Sequence, residues 1–67
     1  MRALQQRESR TGTIKQGDRV TIISDGIATK GERITGEVAY FVGSTVVLAR
    51  DRAGYTYSGR TIDAEKG

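Results

Sequence analysis

The feature that most constrains this chain is a two-residue alternation of apolar and polar side chains, interrupted at short intervals by glycine. In residues 19–24, Val20 and Ile22 fall on one face and Thr21 falls on the other. A similar alternation runs from Ile34 to Val42. Successive side chains of a β-strand point to opposite faces of the sheet, so this pattern predicts short, half-buried strands and an all-β fold.

Glycine-containing turns divide the chain into these short segments. Glycine accepts the positive φ that tight hairpin turns demand, which makes Asp25-Gly26 the strongest short hairpin signal. We interpret residues 25–33 as a long excursion between the first two strands, and we expect Gly54 to close a four-residue turn in a left-handed conformation. Gly36, in the middle of a strand, predicts a bend or a bulge. The predicted turns are Gly17-Asp18, Asp25-Gly26, Gly43-Ser44 and Asp51-Arg52-Ala53-Gly54.

Five short strands follow from this division. We place four of them at residues 19–24, 34–42, 45–50 and 55–60, with a short closing strand within residues 61–66. A sheet this small cannot protect its edges, and closure removes them. The sequence therefore predicts a small five-stranded antiparallel barrel with a flexible basic N-terminal arm.

The arm carries the whole surplus of positive charge. The chain has 67 residues and a formal charge of +3, from 11 basic and 8 acidic residues. Residues 1–15 hold four basic residues against Glu8 alone, and residues 16–67 hold equal numbers of each sign. Few apolar side chains precede Ile14, so we predict a flexible arm at residues 1–13, a barrel domain at residues 14–67, and strands that begin near Ile14 or Arg19. The basic residues of the N-terminal part are Arg2, Arg7, Arg10 and Lys15.

The predicted core is small for a chain of this length. If Ile23, Ala39, Phe41 and Val47 are exposed together on the opposite faces of the strands, they form an apolar patch of the kind that marks an interface. A homo-oligomer is therefore one expectation. We expect Tyr40 to be partly buried, and we expect the core to consist of Ile14, Val20, Ile22, Ile34, Val38, Val46, Leu48 and Ile62.

One architectural resemblance rests on three short stretches: residues 17–22 (Gly-Asp-Arg-Val-Thr-Ile), residues 36–38 (Gly-Glu-Val) and residues 46–48 (Val-Val-Leu). Residues 14–66 resemble the small barrels of the KOW, Sm-like and Src-homology-three kinds. The resemblance implies binding to nucleic acid, to ribosomal or polymerase surfaces, or to peptides. The chain departs from the signalling barrels because it has no Trp, and Gly43-Ser44 stands where the Sm-like pattern has an Asn.

The candidate binding residues combine aromatic rings with arginines. Alternation puts Tyr55 and Tyr57 on one face, with Tyr40 or Phe41 on a neighbouring strand. Unpaired bases stack on tyrosine rings, and arginine both stacks and contacts phosphate. The alternative is that the tyrosines cover the end of the barrel and the arginines pair with Asp51, Asp63 or Glu65. The candidate nucleic-acid-binding residues are Arg50, Arg52, Tyr55, Tyr57 and Arg60, together with Arg2, Arg7, Arg10 and Lys15 of the arm.

Several chemistries are not expected. With no Cys and no His, the chain has no thiol nucleophile, no imidazole base and no zinc-finger site. Four aspartates fall at turns, where Asp commonly bonds nearby backbone amides. We therefore expect no enzyme, no metal and no cofactor. The longest apolar run is Ala39–Val42, so we expect no membrane span, and we expect a cytoplasmic protein.

Two functions remain open from the sequence. The first is a small nucleic-acid-binding barrel with little sequence specificity, acting as an accessory or regulatory factor; the basic arm and the Arg/Tyr cluster favour it. The second is a protein-interaction or assembly module, either an oligomer subunit or an inhibitor that docks on a larger protein; the neutral body favours it.

Overall fold

The computed structural model describes residues 5–67, and these residues form seven strands and one short 3-10 helix. The all-β fold class predicted from the sequence is confirmed for these residues. Within residues 5–67, no helix is both long enough and apolar enough to cross a membrane. The elements in chain order are β1 (Gln6–Ser9), β2 (Gly12–Lys15), β3 (Arg19–Ile23), β4 (Arg33–Val42), β5 (Thr45–Leu48), β6 (Ser58–Arg60), the 3-10 helix (Thr61–Asp63) and β7 (Glu65–Lys66).

The main sheet has five antiparallel strands in the order β6-β5-β4-β3-β7. The ten-residue strand β4 pairs with β3 through Arg33–Glu37 and with β5 from Val38 onward. Its register against β5 shifts between Val38 and Tyr40, which is the signature of a β-bulge. The bulge predicted at Gly36 is therefore found between Val38 and Tyr40 instead.

The sheet curls until its edge strand β6 approaches the end of β3, which lies next to the other edge strand. Ser24, just after β3, forms a single antiparallel bridge with Gly59 of β6, and the Asp25 N–H donates to the Ser58 carbonyl oxygen at 3.0 Å. This bridge is short, and no continuous ladder closes the sheet within residues 5–67. The structure thus contains a curled five-stranded antiparallel sheet, which is compatible with a small barrel-like fold.

The N-terminal segment is a hairpin from Gln6 onward. β1 and β2 pair antiparallel, with Arg7 opposite Ile14, and Ile14 is fully buried in the core. The prediction that strands begin near Ile14 or Arg19 is therefore wrong, because a long-range apolar contact anchors a segment whose own composition is polar. The mobility predicted for residues 1–13, and their division from a domain at 14–67, stay predictions. Residues 1–4, including Arg2, lie outside the described residues.

The bulge in β4 decides which aromatic side chain enters the core. A one-residue shift in a strand exchanges the faces of all the side chains that follow. Val38 is buried, and after the bulge Phe41 is buried while Tyr40 is 47% exposed. The predicted partial burial of Tyr40 is therefore wrong, and Phe41 takes the place in the core.

Most of the predicted core is present. Ile34 is only partly buried and packs against the core from its margin. Ile62 is 61% exposed on the 3-10 helix, so its predicted place in the core is wrong; Thr61 and Ala64 are the buried residues of this segment. The predicted core residues that the structure confirms as buried are Ile14, Val20, Ile22, Val38, Val46 and Leu48.

The apolar patch predicted on the opposite strand faces is not exposed. Phe41 and Val47 are buried, whereas Ile23 and Ala39 are partly buried. The β1–β2 hairpin reaches Phe41, where the Arg7 guanidinium lies 5.2 Å from the ring centroid. The homo-oligomer stays a prediction, without the exposed patch that motivated it.

Candidate functional site

The connection between β5 and β6 presents the two predicted tyrosines. Its turn is closed by the Gly54 N–H, which donates to the Asp51 carbonyl oxygen at 3.0 Å, and by the Tyr55 N–H, which donates to the Asp51 carboxylate at 2.8 Å. Gly54 has a φ of +89°, which confirms the predicted left-handed glycine. The ladder with β5 covers only Ser58–Arg60, so residues 55–57 lie in an extended connection just before the strand.

The structure brings the tyrosines together and gives them different environments. The ring centroids of Tyr55 and Tyr57 are 6.5 Å apart, and the ring planes are tilted by 42°. Tyr55 is 62% exposed, whereas Tyr57 is partly buried and packs against the core. The exposed Tyr55 ring is therefore available to a ligand, whereas the Tyr57 ring mainly packs against the core.

A groove of about 410 Å³ lies between this connection and the loop that joins β3 to β4. It is lined by Ser24, by residues 26–29 and by residues 55–58. Ile27 in the loop is fully exposed to solvent. Among the described residues that line the groove, none carries a charge. The walls are therefore apolar and aromatic, with hydroxyl groups between them.

Hydrogen bonds hold the loop wall in place. The buried Ser24 hydroxyl shares a 2.6 Å hydrogen bond with the Thr29 hydroxyl and accepts from the Gly26 N–H at 3.2 Å. The Ser58 hydroxyl donates to the Asp25 carboxylate at 2.7 Å, which ties the loop to β6. Because these bonds satisfy the loop internally, the groove is formed before any ligand arrives.

The sequence interpretation recognised this loop only as a long excursion. The excursion is confirmed, since the Ser24 N–H donates to the Glu32 carbonyl oxygen at 2.8 Å and closes it as a wide hairpin. A tight turn at Asp25-Gly26 is absent, and Gly31 rather than Gly26 has positive φ. Ile27 as a groove residue was missed. A large apolar side chain inside a polar, glycine-bounded stretch was the available signal.

A second groove, of about 280 Å³, lies on the other side of Tyr57. It runs between the first half of β4 and residues 48–51, and Arg50 lines it together with Glu37 and Asp51. Tyr57 therefore separates an uncharged groove from one of mixed charge. Arg52 and Arg60 line neither of these two grooves.

The arginines of the predicted cluster are exposed. Within residues 5–67, no ion pair involves Arg50, Arg52 or Arg60. The alternative interpretation, in which these arginines pair with Asp51, Asp63 or Glu65, is therefore not seen in this part of the chain. Of these three carboxylates, only Glu65 is ion-paired within residues 5–67, with Arg10 at 3.3 Å and with Arg33 at 3.5 Å. Lys66 pairs with Asp18 at 3.6 Å.

The cations predicted for the arm do not line the tyrosine groove, which is the groove between the β3–β4 loop and residues 55–58. Arg7 donates from Nε to the Gly43 carbonyl oxygen at 2.8 Å and lies over the Phe41 ring, and Arg10 is ion-paired. Lys15 is exposed at the end of β2. None of these three lines either groove beside the tyrosines. The predicted site therefore separates into two groups. The loop cluster comprises Arg50, Arg52, Tyr55, Tyr57 and Arg60, and the hairpin cluster comprises Arg7, Arg10 and Lys15.

Neither metal-binding geometry nor comparison with other proteins assigns a role to residues of this chain. In the part of the chain that the structure describes, no group of three or more candidate metal ligands is close enough to hold an ion. Comparisons with models of protein families, with curated proteins and with solved structures find no match to this chain. The case for function therefore rests on the geometry of the loop cluster.

Proposed function

We propose that this chain is a non-enzymatic nucleic-acid-binding domain whose contact surface is the tyrosine groove and the arginines beside it. The observation that supports it best is the exposed Tyr55 ring next to Tyr57. Arg50 and Arg52 precede Tyr55 by five and three residues, and neither forms an ion pair within residues 5–67. Tyrosine rings stack with bases, and arginine contacts phosphates and stacks on π-systems.

The proposed architecture is a small barrel of the KOW, Sm-like or Src-homology-three kind. Its support is the strand order of the main sheet, the curl that brings Ser24 to Gly59, and the 3-10 helix before the short last strand. Small barrels of several families expose loops at one end as their binding surface, and the tyrosine groove is formed by such loops. The function itself depends on the site and not on the architecture.

The charge distribution makes this a binding site dominated by stacking. Residues 16–67 have no net charge, and Arg10, Arg33 and Lys66 are already paired. With Arg50 and Arg52 as two phosphate contacts, the slope of log affinity against log salt is about −1.4 for a single strand, at about −0.7 per contact. The four N-terminal cations predicted from sequence would give about −3 instead.

The test is fluorescence anisotropy with labelled oligonucleotides of about ten nucleotides, DNA and RNA, single-stranded and duplex, from about 50 to 200 mM salt. The double variant Arg50→Gln/Arg52→Gln should weaken binding and flatten the slope by about 1.4. The matched variant Arg10→Gln/Lys15→Gln removes the same charge from the hairpin and should change both much less. Absence of binding to every oligonucleotide at about 50 mM salt would refute the proposal.

One observation favours the second candidate, a protein-interaction module. The groove has no charged lining among the described residues, and Ile27 is fully exposed at its wall. Exposed apolar side chains around a groove are also typical of protein interfaces. If no oligonucleotide binds, affinity capture from nuclease-treated extract of the source cell, comparing the parent with Ile27→Ser, tests this candidate.

A further inference from the structure

We infer that the groove between Ile27 and Tyr55 takes one unpaired nucleobase, so that the domain selects single strands over duplexes. This inference rests on the proposed function and adds the form of nucleic acid that the site accepts. It also assigns a role to the β3–β4 loop, which forms the wall opposite the tyrosines.

The volume and the lining of the groove fit one small ligand. The loop and the tyrosine connection form its two walls, and the bond from the Ser58 hydroxyl to Asp25 joins them. The volume of about 410 Å³ falls within the range of about 300–1,000 Å³ typical of sites for small ligands. A ligand that enters therefore contacts both segments, unlike a base on a flat sheet surface.

The chemistry of the walls matches a base and not a phosphate. Ile27 and Tyr55 both line the groove and are exposed, so their apolar surface is open to a base, and the exposed Thr56 carries a hydroxyl for its polar edge. The phosphates that flank a bound base stay outside the groove, and the exposed Arg50 and Arg52 precede Tyr55 by five and three residues in the chain. This division of apolar walls and outer cations is the charge complementarity that a single strand requires.

A duplex cannot use this arrangement. Its bases already stack on each other, and turning one out of the helix costs a few kcal/mol of lost pairing and stacking. The duplex is therefore left with the outer arginines alone, and these supply a weak, salt-dependent attraction. The expected result is a preference of about tenfold or more for single strands.

The test compares single-stranded oligo(dT) of about ten nucleotides with a duplex of about ten base pairs. The chain has three Tyr and no Trp, so quenching of intrinsic tyrosine fluorescence reports stacking directly. Tyr55→Ala and Ile27→Ala should each weaken binding of the single strand about fivefold or more and leave duplex binding within about twofold. Tyr40→Ala is the matched control, because it removes an exposed tyrosine that lines neither groove beside Tyr57.

The outcomes separate this inference from the proposed function. Equal affinity for single strand and duplex overturns the inference and leaves the proposed function standing, as does an Ile27→Ala variant with unchanged affinity. Failure of both of these ligands and of the RNA oligonucleotides to bind removes the proposed function itself. Ile27 and Tyr55 are exposed, and circular dichroism with thermal unfolding establishes that each variant is folded before its affinity is measured.

Discussion

Gly59 is the position where one added methyl group should cost the most stability. It pairs with Ser24 at the bridge between β6 and the end of β3. A Cβ built at Gly59 lies 2.3 Å from the Ile23 carbonyl oxygen and 3.2 Å from the Ile23 carbonyl carbon. The backbone of β3 or β6 must therefore move by about 0.7 Å to reach even the 3.0 Å that real contacts allow.

The magnitude has two parts. Overpacking a well-packed interior costs about 1–3 kcal/mol. The displacement also weakens the hydrogen bond from Asp25 to the Ser58 carbonyl oxygen, and a bond of this kind contributes about 0.5–1.5 kcal/mol. We therefore expect Gly59→Ala to lower the free energy of unfolding by about 2–4 kcal/mol.

The assay is urea denaturation followed by circular dichroism, with Gly36→Ala as the matched control. At Gly36 the nearest atom to an added Cβ is the flexible end of Leu48, at 3.1 Å, so this variant should lose less than about 1.5 kcal/mol. In a thermal scan, each kcal/mol lowers Tm by about 4–8 °C in a domain of this size. A Gly59→Ala variant as stable as Gly36→Ala would refute the close approach of β3 and β6.

Three further predictions concern the hairpin, the tyrosines and the ion pairs. Ile14→Ala should cost about 2–5 kcal/mol in urea denaturation, because Ile14 is fully buried; a cost near zero would mean that the hairpin is not part of the fold. Tyr57→Ala should destabilise the protein by about 1–3 kcal/mol more than Tyr55→Ala, since only Tyr57 packs on the core; equal Tm values would contradict this. Glu65→Gln should cost less than about 1 kcal/mol, and the cost should shrink as salt is added, because both of its arginine partners are exposed and salt screens such pairs; a larger, salt-independent cost would contradict this.

The sequence alone determined the strands of the main sheet in outline and most of the core, since both follow from local regularities. Alternation in β3 identifies Val20 and Ile22 as buried whatever the partner strand is, because a strand always turns alternate side chains to one face. The turn closed by Gly54 was also predictable, since a left-handed position strongly favours glycine. The spacing of Tyr55 and Tyr57 also predicted that the two rings lie near each other, but not that only Tyr57 packs on the core.

Tertiary structure decided every feature that depends on a distant partner. The β4 bulge places Phe41 in the core and Tyr40 on the surface. No residue type in the strand predicts that the register shifts between Val38 and Tyr40. Ile14 anchors a hairpin through contacts with residues far along the chain. Ile27 became a wall of the groove because Asp25 is bonded to Ser58, which is 33 residues away. Contacts of this kind form because the sheet curls, and the local alternation of side chains does not specify how it curls.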